Sequence, residues 1–155
     1  MRKNYLVFDM DGTIADLYNV DGWLNDLRAY DTRPYEVACP LYDMVELVQL
    51  LNSFKARGWE IIVTSWSSKN SCPLYDWAVE RAKVEWLRKY RFPADEIYVV
   101  PYGVSKTSVT ANLGGYQILI DDNEEVRNEW GNGATIDATK DIFKELMKLY
   151  FEMTA

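Results

Sequence analysis

The stretch YLVFDMDGT, residues 5–13, decides the fold, because it joins an apolar run to a pair of aspartates. Residues 5–8 are an unbroken apolar run, which is typical of a strand buried on both faces. The run stops at Asp9, and Gly12 lets the chain turn sharply enough for Asp9 and Asp11 to face one pocket. The stretch therefore predicts a buried strand that carries two carboxylates at its carboxyl end.

The rest of the chain alternates short apolar runs with segments of helical periodicity. Further strands are predicted over residues 60–64, 97–100, 117–120 and 134–136, and helices over 41–55, 74–90 and 141–151. In the helix over 74–90, the apolar positions are 74, 77, 78, 84 and 87. Strands that alternate with helices indicate βαβ units and a mainly parallel sheet covered on both faces. The expected fold is therefore α/β, a three-layer Rossmann-like core around five strands.

The composition excludes several classes of catalyst. The chain has 155 residues, no histidine and two cysteines that lie far apart, Cys39 and Cys72. A Ser-His-Asp triad, a Cys-His pair and a His-ligated zinc site are therefore excluded, as is a CxxC redox motif. Acid–base chemistry must fall to other side chains, and oxygen ligands for hard cations such as Mg²⁺ remain available.

Length and charge set the organisation and the partners. The length fits one domain over residues 1–155. The 17 basic and 24 acidic residues give a net charge of −7, which argues against long nucleic acid as a partner. No run approaches the roughly 18 apolar residues of a membrane span, and the start is too short for a signal peptide. We expect a cytoplasmic protein without a membrane partner.

Polar side chains follow the predicted strands. In open α/β sheets, ligands bind beyond the carboxyl ends of the strands, so these side chains are expected to share one edge. They are Asp9, Asp11, Thr64, Ser65, Lys106, Asp121 and Asp122. Carboxylates can hold Mg²⁺, a lysine can neutralise phosphate charge, and hydroxyls and backbone N–H groups around Gly12 can donate to phosphate oxygens. The set predicts phosphoryl transfer through an aspartyl-phosphate, with the second carboxyl as acid and base.

At these residues the sequence closely resembles the haloacid dehalogenase-like (HAD) phosphatase superfamily. Its four motifs occur in the family order, as YLVFDMDGTIAD (5–16), IIVTS (61–65), a lysine in PYGVSKTSV (101–109) and ILIDDNEEV (118–126). The resemblance implies a sheet order of 3-2-1-4-5, with the strands counted along the chain. Family members with Asp at the second acid are typically phosphatases or phosphotransferases.

The resemblance also implies roles for individual residues. Asp9 would be the nucleophile and a Mg²⁺ ligand, and Asp11 the general acid and base that also ligates Mg²⁺ through its backbone carbonyl. Thr64 and Lys106 would bind phosphate. Asp121 and Asp122 would complete the metal site, with one of them ligating directly.

Two other readings of the aspartates fail on spacing and order. An EF-hand calcium loop needs glycine at its sixth position, whereas Gly12 directly follows Asp11. A receiver domain has its paired acids after the first strand and its phospho-acceptor after the third. Here the third predicted strand ends at Val100 and Pro101, and the paired acids come last.

Residues 14–40 predict a small helical flap or cap after the first strand. Its apolar residues recur at roughly helical spacing. The aromatic residues among them either pack the flap onto the core, or Tyr18 or Trp23 stacks on a base. The stretch DMDGTIADLYNVDGWLNDLR, residues 9–28, is similar to the 5'(3')-deoxyribonucleotidase-like branch and to small bacterial and phage nucleotidases.

The expected function is therefore a Mg²⁺-dependent phosphomonoester hydrolase for a small phosphorylated substrate, namely a nucleoside monophosphate. A polynucleotide-end phosphatase and a sugar or metabolite phosphatase are alternatives within the superfamily. A catalytically weak module that binds metal and nucleotide is an alternative from another class.

Overall fold

A computed structural model describes residues 2–153, and in it the apolar runs form strands. The strands are β1 (Asn4–Phe8), β2 (Ala15–Asp16), β3 (Cys39–Pro40), β4 (Trp59–Trp66), β5 (Glu96–Val100), β6 (Tyr116–Asp121) and β7 (Thr135–Asp137). The α-helices are α1 (Trp23–Arg28), α2 (Arg33–Val37), α3 (Met44–Ala56), α4 (Pro73–Lys89), α5 (Lys106–Thr110), α6 (Glu124–Glu129) and α7 (Ile142–Glu152). Short 3-10 turns lie at Leu17–Asn19 and Ala111–Leu113.

Five of the strands form one parallel sheet in the order β5-β4-β1-β6-β7. Counted along the chain, these five strands have the order 3-2-1-4-5, which confirms the expected topology. Strand β1 lies at the centre, where Leu6 pairs with Ile61 of β4 on one side and Ile118 of β6 on the other. A central strand has no exposed edge or face, which explains why residues 5–8 are all apolar.

Alternate side chains of the strands pack into two layers. Leu6 and Phe8 belong to the larger buried cluster, which includes residues of α3, α4 and α7. Tyr5 and Val7 point the other way, into a smaller cluster with Val126 of α6. The sheet is therefore covered on both faces, as a parallel sheet requires.

The insertion after β1, residues 14–40, is helical, as expected. Its two ends are joined by a short antiparallel pair of strands. Strands β2 and β3 pair antiparallel, with Ala15 opposite Pro40. Between them, buried side chains of the insertion pack against one side of α4. That cluster comprises Leu17, Leu27 and Tyr35 of the insertion and Tyr75, Val79 and Ala82 of α4.

Helix α4 buries a different face from the one that its sequence suggests. Leu74 and Trp77 were expected on the apolar face, and they are 76% and 55% exposed. The buried positions are Tyr75, Val79, Ala82, Lys83, Trp86 and Leu87. The correction arises because the insertion packs against Tyr75 and Val79, and so sets the rotation of the helix.

None of the helices within residues 2–153 combines the length and the apolar character needed to cross a membrane.

The packing of α3 gives a test of the fold. Leu51 is fully buried in the larger cluster, whereas Val45 on the same helix is 69% exposed. We expect Leu51→Ala to lower the free energy of unfolding by about 3 kcal/mol, because the truncation leaves a cavity. Val45→Ala should change it by less than about 0.5 kcal/mol. Urea denaturation measures both, and equal losses in the two variants would contradict the placement of this helix.

Candidate active site

Three neighbouring strands each deliver one polar side chain to the same face of the sheet. Asp9, Thr64 and Asp121 each come two residues after a side chain of the smaller buried cluster, respectively Val7, Ile62 and Leu119. Because strand side chains alternate, the three polar groups project from that face at the carboxyl edge. The parallel register of β1, β4 and β6 places the three polar groups at the same position along the strand direction.

Lys106, the first residue of α5, joins two of these strands. Its Nζ donates to Asp9 Oδ1 and to Asp121 Oδ2, each at 2.7 Å, and its side chain is 3% exposed. The centroid of the Trp66 ring lies 5.3 Å from the same Nζ. Burial alone would lower the pKa of Lys106, but the charges of Asp9 and Asp121 outweigh it and hold that pKa above its usual value.

Three carboxylates form a cluster that suits a hard cation. Oxygens of Asp9, Asp121 and Asp122 all lie within 4.8 Å of one another. Thr13 Oγ1 donates to Asp9 Oδ2 at 3.0 Å and lies 3.4 Å from Asp122 Oδ1. Burial, followed by the charge of Asp9, raises the pKa of Asp122 to about 8. The three carboxylates carry more negative charge than the neighbouring Lys106 can balance. Because Mg²⁺ prefers carboxylate oxygens, the cluster suits this cation.

The turn after β1 leaves no room for a side chain at Gly12. Its φ is +80°, and a Cβ there would lie 2.2 Å from Asp122 Oδ2 and 2.9 Å from the ring of Tyr18. Its N–H, which we expected to be available to phosphate, donates instead to the carbonyl of Ala15 at 2.8 Å. Gly12 therefore acts sterically, because it allows Asp122 to approach the turn.

Thr64 has an unusual hydroxyl. Its side chain is fully buried, and Oγ1 has no hydrogen-bond partner within residues 2–153. A buried hydroxyl without a partner is destabilising, so its presence calls for a partner that these residues do not supply. The expected phosphate role of Thr64 is consistent with this observation.

Asp11 and Ser65 lie apart from the three-carboxylate cluster. Asp11 Oδ2 accepts from Lys83 Nζ at 2.8 Å, and Ser65 Oγ accepts from the same Nζ at 2.7 Å. Ser65 follows Thr64, so its side chain projects toward α4 on the other face of β4. Burial raises the pKa of Asp11, and the neighbouring Lys83 opposes the shift. The structure thus brings together Asp9, Lys106, Asp121 and Asp122, with Thr64 on the same face.

A cavity of about 600 Å³ opens over the carboxylates. Asp9 and Asp11 line it, as do Tyr18 and Trp23, the expected stacking residues, whose ring centroids lie 5.1 Å apart. Sequence reasoning missed a second aromatic pair in the lining, Trp66 and Tyr102, whose centroids are also 5.1 Å apart. Both follow the last apolar residues of predicted strands, so the strand-end rule could have found them.

Comparisons with known proteins support the fold. No family model and no curated protein matches the sequence. Among solved structures, a chain of the Pnkp1/Rnl/Hen1 RNA repair complex matches 88% of this chain with a TM-score of 0.58 and 17% identity. This chain spans 42% of the length of that one. At this identity, the likeness shows a shared α/β fold.

Two further matches are D,D-heptose 1,7-bisphosphate phosphatases. The Burkholderia thailandensis protein is 12% identical with a TM-score of 0.49, over 95% of this chain and 98% of its own. The B. bronchiseptica protein, in complex with magnesium and phosphate, is 10% identical with a TM-score of 0.49, over 94% and 99%.

The close approach at Gly12 predicts that alanine is poorly tolerated there. Gly58 is a matched control, since its φ is +89° and nothing lies within 4 Å of a Cβ built on it. We expect Gly58→Ala to lower the free energy of unfolding by about 1–2 kcal/mol from backbone strain alone. Gly12→Ala should lose roughly 1–3 kcal/mol more, because Asp122 must move. Urea denaturation compares the variants, and equal losses would contradict the steric role of Gly12.

Proposed function

We propose that this chain is a phosphatase of the haloacid dehalogenase-like superfamily that hydrolyses phosphomonoesters with Mg²⁺ as cofactor. The observation that carries the proposal is the position of Asp9 at the carboxyl end of the central strand. There, its Oδ1 accepts from Lys106 at 2.7 Å, Asp121 and Asp122 lie beside it, and the cavity opens above it. This places a buried carboxylate where a phosphate can approach.

In the first step, a carboxylate oxygen of Asp9 attacks phosphorus. The new O–P bond forms as the bond from phosphorus to the ester oxygen breaks, which leaves an aspartyl-phosphate. Asp11, protonated at the start, gives its proton to the departing oxygen, so the product leaves as an alcohol. The raised pKa of Asp11 favours its protonated form and therefore supports this role.

In the second step, water attacks the same phosphorus. Asp11, now ionised, takes a proton from the water, and the bond between Asp9 and phosphorus breaks. Inorganic phosphate leaves, and both aspartates return to their starting states.

Charge on the phosphate is balanced by groups around Asp9. Lys106 and the hydroxyl of Thr64 bind phosphate oxygens, whereas Ser65 accepts from Lys83 on the other face of β4 and takes no part in binding phosphate. Asp9, Asp121 and Asp122 would hold Mg²⁺, together with the backbone carbonyl of Asp11. When bound, Mg²⁺ neutralises phosphate charge.

The substrate that we propose is a nucleoside monophosphate. Two pairs of aromatic rings in the cavity lining offer stacking surfaces for a planar base, and Arg28 and Lys69 add positive charge at the lining. Phosphorylated RNA ends are the second candidate, since one structural neighbour belongs to an RNA repair complex. The net charge of −7 weighs against that candidate.

The nucleophile is tested by Asp9→Asn. We expect phosphate release to fall below about 1% of the wild-type rate, because an amide oxygen is too weak a nucleophile to form the intermediate. The exposed Asp21 offers the same chemical change away from the site, and Asp21→Asn should keep full activity. Substantial hydrolysis by a folded Asp9→Asn protein, verified by circular dichroism, would refute the mechanism.

The substrate is identified in the same assay with nucleoside monophosphates, sugar phosphates and a phosphorylated oligonucleotide. We expect kcat/KM to be highest for a nucleoside monophosphate. A preference for the oligonucleotide would favour the RNA-end alternative, and a preference for sugar phosphates would contradict both.

Metal binding is tested by thermal unfolding. Mg²⁺ at about 100 times its Kd should stabilise the protein by about 2.7 kcal/mol and raise its Tm. Asp122→Asn should reduce this Mg²⁺-dependent shift, because it removes a ligand charge. Glu124→Gln, two residues away on the exposed start of α6, should leave it unchanged. An identical shift in all three proteins would argue against the carboxylate cluster as the metal site.

A further inference from the structure

Lys83 is a buried cation on the otherwise apolar buried face of α4. It lies on α4 among the buried residues Val79, Ala82, Trp86 and Leu87, and its side chain is 0% exposed. A lysine is rarely buried unless its charge is compensated by specific partners. Its position therefore calls for a reason beyond the packing of the helix.

The amino group of Lys83 has three close acceptors. They are Asp11 Oδ2 at 2.8 Å, Ser65 Oγ at 2.7 Å and the carbonyl of Trp66 at 2.7 Å. A lysine ammonium has three N–H donors, so each donor can be used. The last two acceptors lie at the end of β4, within the central sheet, and they fix Nζ relative to the strands. A fourth contact comes from the insertion, where the centroid of the Tyr35 ring lies 4.8 Å from Nζ.

Asp11 receives its orientation from this anchored group. Its side chain is 15% exposed and lines the cavity, on the turn that follows β1. When Asp11 is ionised, the three-carboxylate cluster repels it and Lys83 attracts it from the side of α4. When Asp11 is protonated, its Oδ2 still accepts from Lys83, and the proton is carried by Oδ1. Lys106 compensates Asp9 and Asp121 instead, so the two buried lysines serve different carboxylates.

We propose that Lys83 is a positioning residue, which holds the carboxyl of Asp11 at the cavity lining, where it can protonate the leaving oxygen. This inference rests on the proposed function, since it assigns the acid role to Asp11. Lys83 itself touches neither the phosphate nor the leaving group.

The test uses the dependence of the rate on the leaving group. Glycerol 2-phosphate releases a poor, alkyl leaving group that needs a proton, whereas p-nitrophenyl phosphate releases a stable anion that needs none. We expect Lys83→Met to lower kcat/KM for glycerol 2-phosphate by about 100-fold, as misplacement of a catalytic group does. For p-nitrophenyl phosphate, kcat/KM should fall by less than about 5-fold, because formation of the aspartyl-phosphate then needs little acid catalysis. Lys89→Met, on the exposed side of the same helix, should match the wild type with both esters.

A double-mutant cycle with Asp11→Asn separates positioning from a structural effect. If Lys83 acts through Asp11, adding Lys83→Met to Asp11→Asn should change kcat/KM by less than about twofold. Multiplicative losses, or equal losses with both esters, would show a structural role and overturn the proposal. Full activity of Lys83→Met with glycerol 2-phosphate would overturn it as well.

Two controls complete the design. Lys83→Gln keeps a hydrogen-bond donor without the charge, and it replaces Lys83→Met if circular dichroism shows that the latter is unfolded. Failure of both variants to fold would mean that Lys83 is needed for the structure and would refute a positioning role. A wild-type protein that hydrolyses neither these esters nor a nucleoside monophosphate would contradict the proposed function and this inference together. An active wild type with unaffected Lys83 variants contradicts the inference alone.

Discussion

The crowding of negative charge at the carboxyl edge of the sheet is the constraint on which the site depends. Two buried lysines, Lys83 and Lys106, pair with three of the carboxylates there. The carboxylates at this edge are Asp9, Asp11, Asp121 and Asp122. With all of them ionised, the four carboxylates and the two buried lysines together carry a net charge of −2, which a divalent cation would balance. Burial, followed by the charge of Asp9, raises the pKa of Asp122 to about 8, so Asp122 is the carboxyl here that most lacks a positive partner.

Much of the fold and part of the site follow from residues 5–13 and the strand-end rule. An unbroken apolar run such as residues 5–8 is typical of a strand that is buried on both faces, as β1 is. Parallel strands then bring their carboxyl ends together, and this is why Asp9 and Asp121 could be placed at the same edge of the sheet from sequence. The order of the strands came from the family resemblance, since apolar runs alone do not specify which strands are neighbours.

The ion pair between Lys83 and Asp11 could not be predicted in the same way. Lys83 and Asp11 are 72 residues apart, and a lysine on a helix is normally solvated. The exposed Leu74 and Trp77 gave α4 an apparent apolar face, whereas its true face is set by the insertion that packs on it. Thr64 and Ser65 were expected to act together on phosphate, but side chains of adjacent residues in a strand point to opposite faces. Periodicity within a segment cannot show which partner the segment meets.

The position of α4 connects the insertion to the chemistry at the sheet edge. The amino-terminal half of α4 forms the core under the insertion, and Lys83, one turn after Val79, contacts both Asp11 and the ring of Tyr35. Trp86 strengthens this link, since its Nε1 donates to the carbonyl of Ala38 at 2.8 Å. Because one helix packs against the insertion that lines the cavity and also carries the lysine that contacts Asp11, neither can shift far without the other. The orientation of the Asp11 carboxyl and the shape of the cavity are therefore set by the same packing.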